Sequence, residues 1–164
     1  MSIDTPASDS PEFPAPELVE QPEIHLAVVR DTVAFDAIPS LYDRAYPLIF
    51  AALGSAGIQP SAPPMGVIHG APGDTLDLSV AVPIAAPIAA TGEVHGETLP
   101  ASRAATLLVR GDYALLGSAY GYLYGWIAEQ GHDVSGIAWE QYLTEPVPGG
   151  DPALNETLLA VYLA

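Results

Sequence analysis

The chain has no cysteine and no lysine. Its 164 residues carry four bases, all arginine, against 20 acids, a net charge of −16. Without cysteine there is no disulfide framework, no thiolate metal site and no cysteine nucleophile. A surface of this sign repels phosphate, which argues against direct DNA or RNA binding and disfavours adsorption to anionic membranes. Long apolar runs are also missing. The longest, Leu78 to Ala90, spans 13 residues and contains Pro83 and Pro87, too short and too broken to cross a bilayer. The first ten residues hold neither a basic segment nor an apolar one. No secretory signal is read there, and the cytoplasm is the expected location. The histidines, His25, His69, His95 and His132, show no HxH or HxxxH spacing, so no metal site is assigned. There is no GxSxG, no P-loop and no GxGxxG before a helix, and no cofactor is implied.

Apolar residues make up about half of the chain, enough for one packed domain at this length. Residues 1–23 differ from the rest. They hold six acids, five prolines and no base. This composition predicts a disordered, extended acidic tail, with residues 24–164 as the folded part. Such a tail keeps a protein soluble; a sharper reading makes it a docking segment for a basic partner.

Alternation and β-rich runs predict strands at Ile24–Val29, Met65–His69, Leu76–Val82, Glu93–Leu99, Ala104–Arg110, Ala138–Thr144 and Thr157–Leu163. Helical spacing predicts Leu41–Ala56 and Leu116–Gln130, stopped by Gly57 and Gly131. Pro47 must either kink the first helix or mark its true first turn. Placing Gly57 on Gly131 reveals an internal repeat. Leu53 falls on Ile127, the Pro63–His69 stretch on Ile137–Leu143, and Pro72 on Pro146. Each half, about 24–90 and 91–164, reads as strand, helix, strand, strand. One half cannot cover its own sheet. The expected fold is therefore α+β, a duplicated βαββ with a pseudo-twofold. It has an antiparallel sheet, two main helices and a central ligand cleft at the join.

Several residues are candidates to line that cleft. Glu140 and Tyr142 lie two apart on a strand and share a face. A carboxylate beside a phenol in an aromatic cleft traps cations, with roughly 0.5–2 kcal/mol per π contact. A solvated Glu140 on an exposed strand face is the plainer alternative. Trp139 points to the other face, or to the cleft rim. The second helix carries Tyr120, Tyr122, Tyr124 and Trp126, more aromatics than one core face needs. Tyr42 and Tyr46 are their nearest counterparts in the first helix. His69 ends the strand equivalent to that of Tyr142 and could face the cleft.

A set of motifs makes the chain similar to a known family. Thr98-Leu99-Pro100-Ala101-Ser102-Arg103-Ala104-Ala105, followed by Val109-Arg110-Gly111, resembles the LPAGRVA…hxG lead-in of GyrI-like domains. These are the effector-binding domains of AraC- and MerR-type bacterial regulators. Leu116-Gly117-Ser118-Ala119-Tyr120 with Trp126-Ile127 and Gly131 resembles the LGxAYxxLxxWIxxxG helix. Trp139-Glu140-Gln141-Tyr142-Leu143-Thr144-Glu145-Pro146 resembles the WExYxTDP strand, and Gly57 with Pro63-Pro64 and Ile68-His69-Gly70 the GxxPxGPPFxxYHG segment. The resemblance covers residues 24–164. It implies that Glu140 sits in a central cleft among Trp126, Trp139 and Tyr142 and meets cationic or aromatic ligands. Ile68 stands where the family has Tyr, and Met65 where it has Phe, so the first-half side of the pocket is expected to be less aromatic.

Three functions are compatible with the resemblance. The favoured one is a stand-alone binder that captures or senses lipophilic aromatic or cationic small molecules. The second is a hydrolase that detoxifies cyclopropane-containing genotoxic natural products, with Glu140 as general base and Tyr142 assisting. The third is an acidic protein-interaction modulator of the gyrase-inhibitor type.

Overall fold

The computed structural model describes residues 13–71, 73–144 and 151–164. Among them, eight strands and two helices follow in the order β1 (Glu17–Gln21), β2 (Ile24–Ala34), α1 (Ile38–Ala56), β3 (Met65–His69), β4 (Thr75–Ile84), β5 (His95–Leu99), β6 (Ser102–Arg110), α2 (Leu116–Glu129), β7 (Val134–Tyr142) and β8 (Glu156–Leu163). All strands join one antiparallel sheet in the order β1-β6-β8-β7-β3-β4-β2-β5. The fold is α+β. Exchanging β1 with β5, β2 with β6, β3 with β7 and β4 with β8 reverses this order and leaves it unchanged.

Within the stretch expected to be a disordered tail, Glu17–Gln21 is a correction: it is a strand. Glu17–Gln21 pairs with β6 along its whole length, from Glu17 opposite Thr106 to Gln21 opposite Ser102. Val19 packs against a buried cluster, and Glu20 lies 3.6 Å from Arg103. Pro14, Pro16 and Pro22 flank this strand rather than interrupt it, and an edge strand tolerates them there. Residues 1–12 lie outside the described residues, as do Pro72, Glu145 and Pro146.

Helix α1 begins before Leu41, with a proline in its first turn, and both caps are as the glycines predict. Gly57 (φ 70°) and Gly131 (φ 77°) take the left-handed conformation that ends a helix. Pro47 is not the first turn but lies inside the helix. It is exposed, while Leu41, Ala45, Ile49 and Leu53 are buried, so packing of that stripe offsets its missing N–H.

The sheet cannot be flat. Two residues link β1 to β2, and two link β5 to β6. Each link spans at most about 11 Å. Each joined pair lies six strand positions apart, about 29 Å in a flat sheet. Both edges must therefore curl toward each other. The helices lie on one face: α1 packs on Ala27, Val29, Val80 and Val82, and α2 on Leu107, Val109, Leu159 and Val161. The other face closes on itself and buries Leu26, Val28, Met65, Val67, Trp139 and Tyr162 in one cluster. Strands β3 and β7 meet at the middle of the sheet, so their helix-side residues form the floor between α1 and α2.

Candidate functional site

On that floor Gly66 lies directly opposite Glu140 across the β3–β7 ladder. Tyr142, two residues along, shares the face of Glu140. Helix α2 brings Tyr120 to the same carboxylate, and helix α1 brings Tyr42 from the other side. The hydroxyl of Tyr120 donates to Glu140 Oε1 at 2.8 Å, and that of Tyr142 donates to Oε2 at 2.7 Å. Tyr42 and Tyr142 share a hydrogen bond of 2.6 Å between their hydroxyls. The proton of Tyr142 is committed to Glu140, so Tyr42 donates to Tyr142. The result is a chain of phenols that ends on one carboxylate.

More rings complete the wall. Tyr42 and Tyr113 both meet Tyr142 edge-on, at centroid distances of 5.9 and 6.1 Å. Tyr46 lies 5.6 Å from Tyr42 and stacks on Phe50. On the facing ridge Tyr120 stacks on Tyr124. These are i, i+4 neighbours, which a helix places one above the other. The Tyr46 hydroxyl is buried and finds no partner among the described residues.

The electrostatics follow from this enclosure. Removal of the Glu140 carboxyl from water raises its pKa, while the Tyr142 and Tyr120 hydrogen bonds pull it down in part. Burial and the nearby Glu140 charge push the hydroxyls of Tyr42, Tyr120 and Tyr142 well above their usual value, so they stay protonated donors. Among the described residues no arginine or histidine forms an ion pair with Glu140. The carboxylate therefore has two donors, no counter-ion and unused lone pairs.

Other sequence candidates lie elsewhere. Trp139 and Met65 face away from Glu140 and are buried in the self-closed core, where Trp139 Nε1 lies 3.3 Å from the Tyr162 hydroxyl. The two-residue period of the strands puts them there. His69 also lies on that face, 2.9 Å from Ser79 Oγ and 3.6 Å from Glu97. It belongs to a separate polar cluster. There Ser79 and the His69 contact hold the Glu97 carboxyl down at about 2 despite its partial burial, and Arg30 binds Asp77 with two hydrogen bonds. Tyr122 is exposed and packs on Phe13, and Trp126 packs against the core under α2. Ile68 packs against the core under α1.

On the first-half side the rings near Tyr142 come from helix α1. Tyr42 and Tyr46 from α1 supply the rings that Ile68 and Met65 do not. Tyr113, in the short turn before α2, carried no signal in the sequence, because its role depends on that turn folding back toward Tyr142. Two surface pockets, of about 410 and 400 Å³, lie around Thr106 and Arg110 and around His25 and Ser61. Glu140 lines neither. Its immediate neighbours are Tyr120 and Tyr142, with Tyr42 hydrogen-bonded to Tyr142. Among the described residues no helix is long and apolar enough to cross a membrane, and no group of three His, Asp or Glu is placed to hold a metal ion.

Comparison with known proteins agrees with this architecture. The structure is similar to the EcmrR C-terminal domain, with a TM-score of 0.79 at 21% identity, covering 93% of this chain and 98% of that one. It is similar to SAV2435, solved bound to tetraphenylphosphonium, with a TM-score of 0.65 at 13% identity over 93% of this chain and 94% of that one. A protein from Listeria innocua described as a hydrolase is also similar, with a TM-score of 0.64 at 11% identity over 96% and 95%. No curated protein matches the sequence. The model of the GyrI-like small molecule binding domain matches residues 14–162, from just before β1 to within one residue of the end of β8. The chain therefore belongs to the GyrI-like family of small-molecule-binding domains.

Proposed function

We propose that the floor between α1 and α2 captures a lipophilic aromatic cation, with Glu140 as its anionic anchor. One observation carries the reading: the half-buried Glu140 carboxyl has two phenol donors and, among the described residues, no counter-ion. An unpaired carboxylate in such a place is destabilising, and a bound cation supplies the missing charge. The surrounding rings add contacts that a cation can use without hydrogen bonds. The phosphonium seen with SAV2435 is a compound of this class.

Calorimetric titration with tetraphenylphosphonium tests the proposal, with neutral triphenylphosphine oxide as control. The wild type is expected to bind the cation saturably, and Glu140→Gln to lose at least about tenfold in affinity, a modest share of what one buried charge contributes. Binding of the neutral analogue should change little. Equal cation affinity in both proteins overturns the anchor role.

The pairing of Glu140 with Tyr142 at 2.7 Å also supports hydrolysis as a second reading, because a raised carboxyl is suited to act as general base. Here mass spectrometry after incubation with a cyclopropane electrophile decides. A water adduct formed by the wild type and not by Glu140→Gln makes the protein an enzyme; survival of the compound in both leaves capture alone.

A further inference from the structure

We propose that the sheet face turned away from the helices carries a second binding site, a trough that takes a linear aliphatic chain ending in an ammonium group. It stands apart from Glu140, which lies on the opposite face. Two cavities of about 410 and 400 Å³ open there, each large enough for a small ligand. Leu158 lines both, so they are chambers of one trough. The first runs along Thr106 and Leu108 to Glu17. The second lies at the mouth of the curled sheet, with Met65, Trp139 and Pro83 inside and Glu23 and His25 at the rim. Barrel mouths are frequent ligand sites.

Strand register explains why the trough is open. Met65, Gln141, Leu158 and Leu108 form one row of partners across β3, β7, β8 and β6. The strand exchange that leaves the sheet order unchanged maps this row onto Trp139, Val67, Ser79 and Arg30. There Ser79 donates to Glu97 at 2.9 Å, Arg30 reaches the same carboxylate at 3.4 Å, and His69 closes on Ser79. That network fills its end of the sheet. Leu158 and Leu108 stand at the places of Ser79 and Arg30 and have no polar group to bridge the gap. The same exchange sets Pro83 where the buried ring of Tyr162 stands in the other half. The smaller side chain leaves the mouth free. The row crosses three strand spacings, about 14 Å, which suits a chain of about ten carbons.

The rim decides the head group. Glu17 forms no ion pair among the described residues, and Glu23 meets only His25, at 3.5 Å. Arg110, beside the first chamber, is already bound by Glu156 at 2.8 Å. Gln141 donates its amide N–H to the Pro63 carbonyl at 3.1 Å, which leaves its own carbonyl as an acceptor. Acids and acceptors at the edge call for a cationic donor, and the apolar floor takes the methylenes.

The probe is decylammonium, with decanoate as its charge-reversed control. Trp139 reports binding in a Trp126→Phe protein, which has no other tryptophan. Decylammonium is expected to change its emission saturably, and decanoate to bind at least about tenfold more weakly. Pro83→Tyr supplies the ring that fills the other half and should weaken decylammonium about tenfold. Leu158→Arg puts a cation where the chambers meet and should reverse the order of the two probes, which a general loss of structure cannot do. Both variants should keep their affinity for tetraphenylphosphonium, and Glu140→Gln its affinity for decylammonium. The inference is overturned by an unsaturable response, by equal binding of the two probes to the wild type, or by trough variants that bind decylammonium as the wild type does. Failure of the anchor reading shows separately, as tetraphenylphosphonium affinity that Glu140→Gln leaves unchanged.

Discussion

A half-buried carboxyl with a raised pKa is a proton switch as well as a charge. The folded pKa of Glu140 is raised, so the native state keeps its proton at a pH where the unfolded chain has lost it. Stability then falls as pH rises from the usual glutamate range through the raised native pKa, because the native state binds more protons there. Glu140→Gln should flatten that fall and stabilise the protein at pH 7 by about 1 kcal/mol, a typical gain when a functional site is relieved. Thermal melts across pH 4–8 check it; a variant less stable than wild type at pH 7 means the two phenol hydrogen bonds outweigh desolvation. A cation selects the ionised form, so its affinity should rise over the same interval. At the scale of single residues the sequence was legible where a motif fixed the face. Glu140 and Tyr142 shared a strand side by simple alternation, and the same alternation sent Trp139 and Met65 into the opposite core. Tyr42 was legible only as a first-helix counterpart of the α2 aromatics, and Tyr113 was out of reach, since its place by Tyr142 depends on how a short turn sits over the sheet.

The elements carry a different lesson. Both helices and seven strands were visible from periodicity and glycine stops, but β1 was hidden. Its acids and flanking prolines resemble a disordered tail, and only the partner strand β6, whose Ala104 lies opposite Val19 from 85 residues further along the chain, makes Leu18 and Val19 strand-forming. Pairing across such a separation leaves no local trace. Because β1 covers an edge of the sheet, deletion of residues 1–21 should uncover the hydrogen-bonding groups of β6 and the apolar contact of Val19. The expected loss is about 2–4 kcal/mol, from Val19, Phe13 and the ladder together. It should appear as a lower urea midpoint and as concentration-dependent association. A disordered tail predicts no change in the midpoint, so the experiment separates the two descriptions directly.

At the scale of the whole molecule, the charge of −16 and the single anchor act at different ranges. The field of many surface acids raises the local concentration of any cation and speeds its arrival, while Glu140 and the phenols decide which cation stays. Salt acts on these contributions unequally. Screening shortens the reach of the surface field to about 8 Å at physiological ionic strength, yet it weakens enclosed contacts far less. Between about 20 mM and about 500 mM salt, the association rate for tetraphenylphosphonium should fall about tenfold, with a smaller change in its dissociation rate. Glu140→Gln should show the same salt slope for association from a lower affinity, since one residue of 20 acids scarcely alters the far field. Triphenylphosphine oxide, which carries no net charge, should show almost no slope. Stopped-flow tryptophan fluorescence at a series of salt concentrations measures all three. If the slope instead disappears in Glu140→Gln, the long-range attraction belongs to the site rather than to the surface, and the acidic composition has no part in capture.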